Sequence, residues 1–340
     1  MKSFLQTTDS GLYCAPGDFF VDPRLPVHRA VVTHAHSDHA RWGCQKYLAA
    51  KSSEYLLRMR MNEDAEFHFL NYEEAISIGG VQISFHPAGH ILGSAQVRLE
   101  YRDQIVLVTG DYKLDFDPTC EAWRPVKCHV MITESTFGLP IYRWQDQEIV
   151  FNSINQWWRD SREDGKCCLL YGYAIGKSQR LLAGLDPGLG PIYCHGAVQK
   201  GNDAYRKTGV ALPPTQYVGS ISGKHDWRGS MIIAVPSVHG TAWAKKFGKT
   251  STAMASGWMA VRGARRRRSV DRGFVLSDHV DWPSLHAAIE ACDPETVWVT
   301  HGSSAAVSRF LVENGRNAQV LDSLHRGEGD EDATNESVEA

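Results

Sequence analysis

No apolar run in the 340-residue chain approaches the roughly 20 residues that cross a membrane, so no transmembrane helix is expected. The opening MKSFLQTTDSGLY lacks a long apolar core and a small-residue cleavage site, so the expected setting is cytoplasmic. Eight cysteines are scattered with no CxxC pair and no disulfide-framework spacing. That pattern fits a reducing compartment and small buried hydrophobes. A strong charge of one sign is also missing, since the net charge is −3. Residues 327–340 carry six acids and no base, so the rest of the chain stands at +3. This tail is polar and poor in apolar residues, and reads as disordered. One basic run is dense: Arg265, Arg266, Arg267 and Arg268. It could hold phosphates or simply face water. A true P-loop is absent too. GYAIGKS has three residues between Gly172 and Gly176 where that motif needs four.

What is present is organised in two textures. The first 140 residues read as short β-branched or aromatic strands at 18–21, 30–32, 46–49, 82–86, 95–101, 104–109 and 129–132, with a helix at 52–60. After residue 140 a helix over 148–164 is followed by strand, helix and strand in alternation, the pattern of a parallel αβ layer. From about residue 273 the first texture returns, with a helix opened by Asp281 and Pro283, a strand at 296–300 and a last helix at 305–313. The expected organisation is one domain at 1–140 and 266–325, split by an insert at 141–265, with the tail at 326–340.

Chemistry concentrates in VVTHAHSDHARWG. His34 and His36 alternate by two and would share one side if the strand continued. Asp38 and His39 come next, in an expected turn into a helix. Imidazole nitrogens and carboxylate oxygens at such spacing suit a divalent transition metal. Four candidates exceed what one closed tetrahedral site needs, which points to two ions. His90, Asp111 and His301 each come after an apolar strand, where a polar side chain has no packing role. His28, His68, His86, His129, His225, His286 and His325 are read as ordinary surface or core histidines.

THAHSDH, AGH, TGD and VTHG resemble the successive metal motifs of the metallo-β-lactamase fold, an αββα sandwich. The resemblance implies one ion held by His34, His36 and His90. It implies a second held by Asp38, His39 and His301, with Asp111 bridging and Asp22 orienting the histidines from behind. The insert, Glu134 in ITEST, His279 in SDHVDW and the YGYAIGKSQRLL turn resemble the β-CASP nucleases. The opening GLYCAPGDFFVDPRLPVHRAVVTHAHSDHARWG resembles the bacterial ligase-associated DNA exonucleases of that group. DNA as substrate, a role in DNA repair, and a DNA ligase and a helicase as partners are what this resemblance implies.

The expected reaction is phosphodiester hydrolysis with two zinc or manganese ions. Asp38 and Asp111 serve the metal centre, and His279 is the general acid, oriented by Glu134. Related nucleases leave a 5′-phosphate and a 3′-hydroxyl. Lys177 and Arg180, at an expected helix N-terminus, and Ser135 and Thr136 are candidate phosphate contacts. Two alternatives stand beside this reading. An RNA-processing nuclease would share every motif, because none senses a 2′-hydroxyl. A small-molecule metallo-hydrolase would not need the insert, His279 or the basic run.

Overall fold

A computed structural model describes residues 4–62, 64–263 and 269–321. Arg265, Arg266, Arg267, Arg268, His325 and the acidic tail lie outside the described residues. The chain forms two compact units. One runs to Arg143 and resumes at His279; the other is Trp144–Asp278.

In the first unit, six strands form one sheet in sequence order: Leu5–Thr8, Gly11–Cys14, Phe19–Val21, Arg29–Val31, Lys46–Ala50 and Glu66–Leu70. A second sheet has the order Ala318–Val320, Thr296–Val299, Val130–Thr133, Gln104–Val108, Ala95–Tyr101, Val81–Pro87 and Ala75–Ile78. The two sheets share one apolar core, in which Phe19, Val21, Val31 and Leu48 meet Ile83, Phe85, Val97, Val106 and Ile132. Side chains alternate across a strand. Val106 and Val108 therefore enter that core, while Leu107 faces the helices Trp282–Cys292 and Ser304–Glu313. A sheet buried on both faces needs strands that are apolar throughout, as IVLV and VMI are.

Strand direction places the chemistry. Gln104–Val108, Val130–Thr133 and Thr296–Val299 are mutually parallel. Val81–Pro87 runs the same way, because it and Gln104–Val108 are each antiparallel to Ala95–Tyr101. His90, Asp111, Glu134 and His301 thus all leave the same edge of one sheet. On the other sheet, Phe19–Val21 is parallel to Arg29–Val31, so Asp22 and the THAHSDH run emerge side by side. Thr33 ties the two edges together, its carbonyl accepting from Ala95 N at 2.8 Å.

The second unit holds one sheet, parallel throughout, in the order Gln216–Tyr217, Ile192–Cys194, Met231–Ala234, Cys167–Tyr171, Thr250–Ala255 and Arg272–Phe274. Helices Gln147–Glu163, Lys177–Gly184 and Gly196–Lys207 cover one face through Trp157, Trp158, Leu181, Leu182 and Val198. The opposite face is covered by Val218, Ala244, Phe247 and Met259. The chain rejoins the first unit at His279, later than residue 266, because Arg272–Phe274 pairs with Thr250–Ala255. Seven cysteines are buried and Cys120 is half-buried, all as free thiols. No helix among the described residues is long and apolar enough to cross a membrane.

Candidate metal centre

The strand that opens the histidine run stops at Val31. Asp22 ends it, its carboxylate accepting from Thr33 N at 2.8 Å and from the Thr33 hydroxyl at 2.6 Å. Residues 33–40 then form turns rather than a continued strand or a helix start, with Ala40 N donating to the His36 carbonyl at 2.8 Å. His34 and His36 converge through this turn and not through strand alternation.

Three groups of donor atoms gather here, each within 4.8 Å: His34, His36, His90 and Asp111; His34, Asp38 and His39; and Asp111, Glu134 and His279. Asp111 Oδ2 lies 3.3 Å from His39 Nε2, 3.6 Å from His34 Nε2 and 3.9 Å from His90 Nε2. Asp38 Oδ2 lies 3.4 Å from His39 Nε2, and His36 Nδ1 lies 3.1 Å from His90 Nε2. All these residues are buried except Asp38, which is half-buried. Gly110 makes Asp111's approach possible. At φ 56° a Cβ there would stand 2.7 Å from the Thr33 Cβ.

Burial by itself would raise the carboxyl groups of Asp38 and Asp111. The imidazoles, His39 foremost, outweigh it and hold both well below the usual carboxylate range. Burial, with His39 and His90 nearby, pushes His34 well down, so it is a neutral donor. His39 goes the other way: Asp38, Asp111 and Asp22 overcome its desolvation and raise it well above the ordinary histidine range. A cluster that draws a proton so strongly will also draw a divalent cation. His34 Nε2 and Asp38 Oδ1 are buried without a hydrogen-bond partner among the described residues, as metal donors would be. With nitrogen and oxygen donors and no thiolate, the set fits zinc or manganese.

Asp22 stands behind these donors. Its Oδ2 accepts from His39 Nδ1 at 2.7 Å, which leaves His39 Nε2 turned to Asp38 and Asp111. Asp22 holds φ at 45°, a left-handed backbone that costs of order 1–3 kcal/mol in a non-glycine residue. His301 shares that strain at φ 56°. Its ring stacks on His39 at 5.6 Å and 12°, and it lines a cavity of about 60 Å³ with His39, Asp111 and Glu134. It is not among the three close donor groups; His34 stands with Asp38 and His39 instead.

Glu134 and His279 form a buried pair. His279 Nδ1 lies 2.9 Å from both carboxylate oxygens, and Glu134 Oε1 also accepts from Tyr112 N at 3.0 Å. Burial raises the Glu134 carboxyl above its ordinary value, against the pull of His279. The His279 and His90 ring centres are 4.7 Å apart.

The expected phosphate contacts do not present themselves as such. Lys177 is buried, its Nζ 2.8 Å from Asp278 Oδ2 and donating to the Leu276 carbonyl at 2.8 Å. Arg180 is buried against Asp278 Oδ1 at 3.0 Å and Gln147 Oε1 at 3.0 Å. Both charges are committed to the second unit's own fold. Ser135 is buried too, its hydroxyl donating to the Thr300 and His301 carbonyls, and Thr136 is buried beside it. Ser135 thereby holds the VTHG turn, and the Thr136 side chain hydrogen-bonds to Glu134. Three supporting positions receive no role from the sequence: Thr33, Tyr112 and Asp278. Thr33 and Asp278 sit directly before His34 and His279 in the quoted motifs, whereas Tyr112 contributes through its backbone N.

No family model matches the chain. It is 32% identical over 313 residues, 92% of its length, to 30% of a protein of Opitutus terrae named "Probable DNA ligase". It is 32% identical over 166 residues, 46% of its length, to 24% of "Cleavage and polyadenylation specificity factor 73" of Drosophila melanogaster. It is 29% identical over 173 residues, 49% of its length, to 20% of "Endoribonuclease YSH1" of Gibberella zeae. The chain therefore spans less than a third of these curated relatives. A solved structure of a protein of unknown function from Enterococcus faecalis V583 matches with TM-score 0.57 and 12% identity over 88% of this chain and 80% of that one, which shows the fold alone. With its histidine and aspartate motifs gathered at one edge and these relatives, the chain belongs to the metallo-β-lactamase-fold β-CASP family.

Proposed function

We propose that this protein is a metal-dependent DNA exonuclease acting in DNA repair, built as an αββα sandwich interrupted by a β-CASP domain. One observation carries the hydrolytic reading: Asp111 belongs both to the four-donor group with His34, His36 and His90 and to the group with Glu134 and His279. Metal donors and a candidate acid thus meet at a single carboxylate.

His34, His36, His90 and Asp111 would hold one divalent ion, and Asp38, His39 and His301 a second that shares Asp111. When bound, such ions supply Lewis acidity and a water of lowered pKa. The chain's own contribution is proton delivery and orientation. Glu134 fixes the Nδ1 proton of His279 and stabilises the imidazolium. Nε2–H is then left to donate to the departing sugar oxygen. The products would be a 5′-phosphate and a 3′-hydroxyl. Asp22 keeps His39 in one tautomer throughout.

The similarity to part of a protein named as a DNA ligase supports DNA as substrate and a ligase as partner; a helicase rests on family resemblance alone. A second reading, RNA processing, has its own support in the relative named an endoribonuclease. Single-stranded DNA and RNA of one sequence, labelled at either end and incubated with manganese or zinc, separate the two. Stepwise loss from one end of DNA alone supports the first reading and gives its polarity. Preferential cutting of RNA moves the protein to the second, and cleavage of neither refutes both.

A further inference from the structure

Two of the turns that carry metal donors meet the same short helix, Glu54–Arg60, at its opposite ends. His34 and His36 converge because residues 33–40 leave the strand. Ala35 between them is fully buried. A buried backbone carbonyl outside a helix or sheet needs a donor from elsewhere. Arg60 supplies it, its guanidinium donating to the Ala35 carbonyl at 2.8 Å from 25 residues away. A charged donor makes a bond roughly twice as strong as a neutral one. Arg60 is the last residue of the helix, an end where the helix dipole also favours a cation. Leu56 and Leu57 are fully buried and anchor the helix.

The other end of the helix meets the turn that carries His90. Gly93 lies so close to Ser53 that a Cβ there would stand 2.3 Å from the Ser53 nitrogen, and its φ of 75° suits glycine. The Ser52 hydroxyl donates to Glu121, whose second carboxylate oxygen faces Gly93 N at 3.5 Å. Ser94 follows, and its hydroxyl oxygen accepts from His90 N at 3.0 Å and from Ile91 N at 3.2 Å. The two turns must be in register with each other, since His36 Nδ1 and His90 Nε2 come within 3.1 Å. Ligand sets work when held to about 0.5 Å, which needs support behind the ligands.

We infer that the helix Glu54–Arg60 is a brace that sets His34 and His36 against His90, and that Arg60 is a positioning residue for these donors. Arg60 acts through the Ala35 carbonyl, and Glu121 through the Gly93 turn. The inference rests on the metal-centre part of the nuclease reading.

The test is a cobalt(II) titration of the full chain, following the visible absorption of the bound ion and its competition with a chelator. Arg60→Met keeps an apolar stem and removes the donor. It should weaken cobalt binding about 10- to 100-fold and alter the absorption bands. Arg60→Lys restores a donor and should recover most of the affinity and the original bands. Arg58→Ala is the control, because exposed Arg58 pairs with Glu54 on the same helix at 2.9 Å, and it should change neither. Urea titrations of the metal-free proteins separate bracing from stability. If Arg60→Met lowers the urea midpoint yet keeps the unmutated affinity and spectrum, the brace is overturned. Should Arg60→Met not fold, Glu121→Ala tests the other end by the same readouts, and unmutated affinity and spectrum there overturn the brace. Arg60-dependent cobalt binding in a protein that cleaves no nucleic acid under any metal would uphold the brace and refute the hydrolytic reading. Unchanged cobalt binding by Arg60→Met in a protein that does cleave would do the reverse, and an unmutated protein that binds no cobalt would overturn both.

Discussion

Each unit buries a cluster of charged groups, and the two clusters are balanced in opposite ways. In the second unit, Lys177 and Arg180 close around Asp278 at 2.8 and 3.0 Å, and donate further to the Leu276 and Ser277 carbonyls and to Gln147 Oε1. Nothing further is needed to neutralise Asp278. In the first unit, the ion pairs that Asp22, Asp38, Asp111 and Glu134 make among the described residues are all with imidazoles. Burying several carboxylates without a fixed cation is costly. That arrangement makes sense where a cation is to be bound. The first cluster is arranged for chemistry and the second for architecture, although the sequence presents both as ionic residues beside apolar strands.

Four substitutions break or sharpen this contrast. The largest effect on rate is expected for His279→Ala, with activity falling about 10²- to 10⁴-fold while metal affinity stays near wild type. Calorimetric titration beside a cleavage assay checks it, and equal loss of metal and rate would make His279 a ligand instead. Asp278→Ala should act through stability, because it strands two buried cations. A loss of about 3–5 kcal/mol in a urea titration is expected, and an unchanged midpoint would show that the pair is not structural. Asp22→Asn should weaken metal binding about 10- to 100-fold by loosening His39, with the fold intact by circular dichroism. Lys46→Ala, which breaks an exposed ion pair with Glu66 at 2.8 Å, should leave the melting temperature unchanged.

Much of the first unit is legible in the sequence because its chemistry sits at the ends of apolar strands. IVLV before Gly110 and VMI before Glu134 announce both the strands and the polar residues at their exits. Strands without that apolar signature are not legible. Leu5–Thr8 reads LQTT at a sheet edge, and Thr250–Ala255 reads TSTAMA yet lies inside the parallel sheet, where its neighbours supply the burial. The same limit explains Lys177 and Arg180. A glycine turn before a helix with two bases looks like a phosphate site from sequence, since their partner Asp278 is about 100 residues away. His34 and His36 are recognisable as a pair, but the turn that joins them depends on the Asp22 carboxylate taking the next ladder hydrogen bond.

The central claim is that the first unit's cluster is completed by metal and hydrolyses nucleic acid only when it is. The most direct test measures metal content and strand cleavage on the same samples of the unmutated protein and Asp111→Ala. Two divalent ions per chain with cleavage are predicted for the former, and loss of both metal and cleavage for the latter. Cleavage that survives in Asp111→Ala, or an unmutated protein that cleaves without metal, would contradict it.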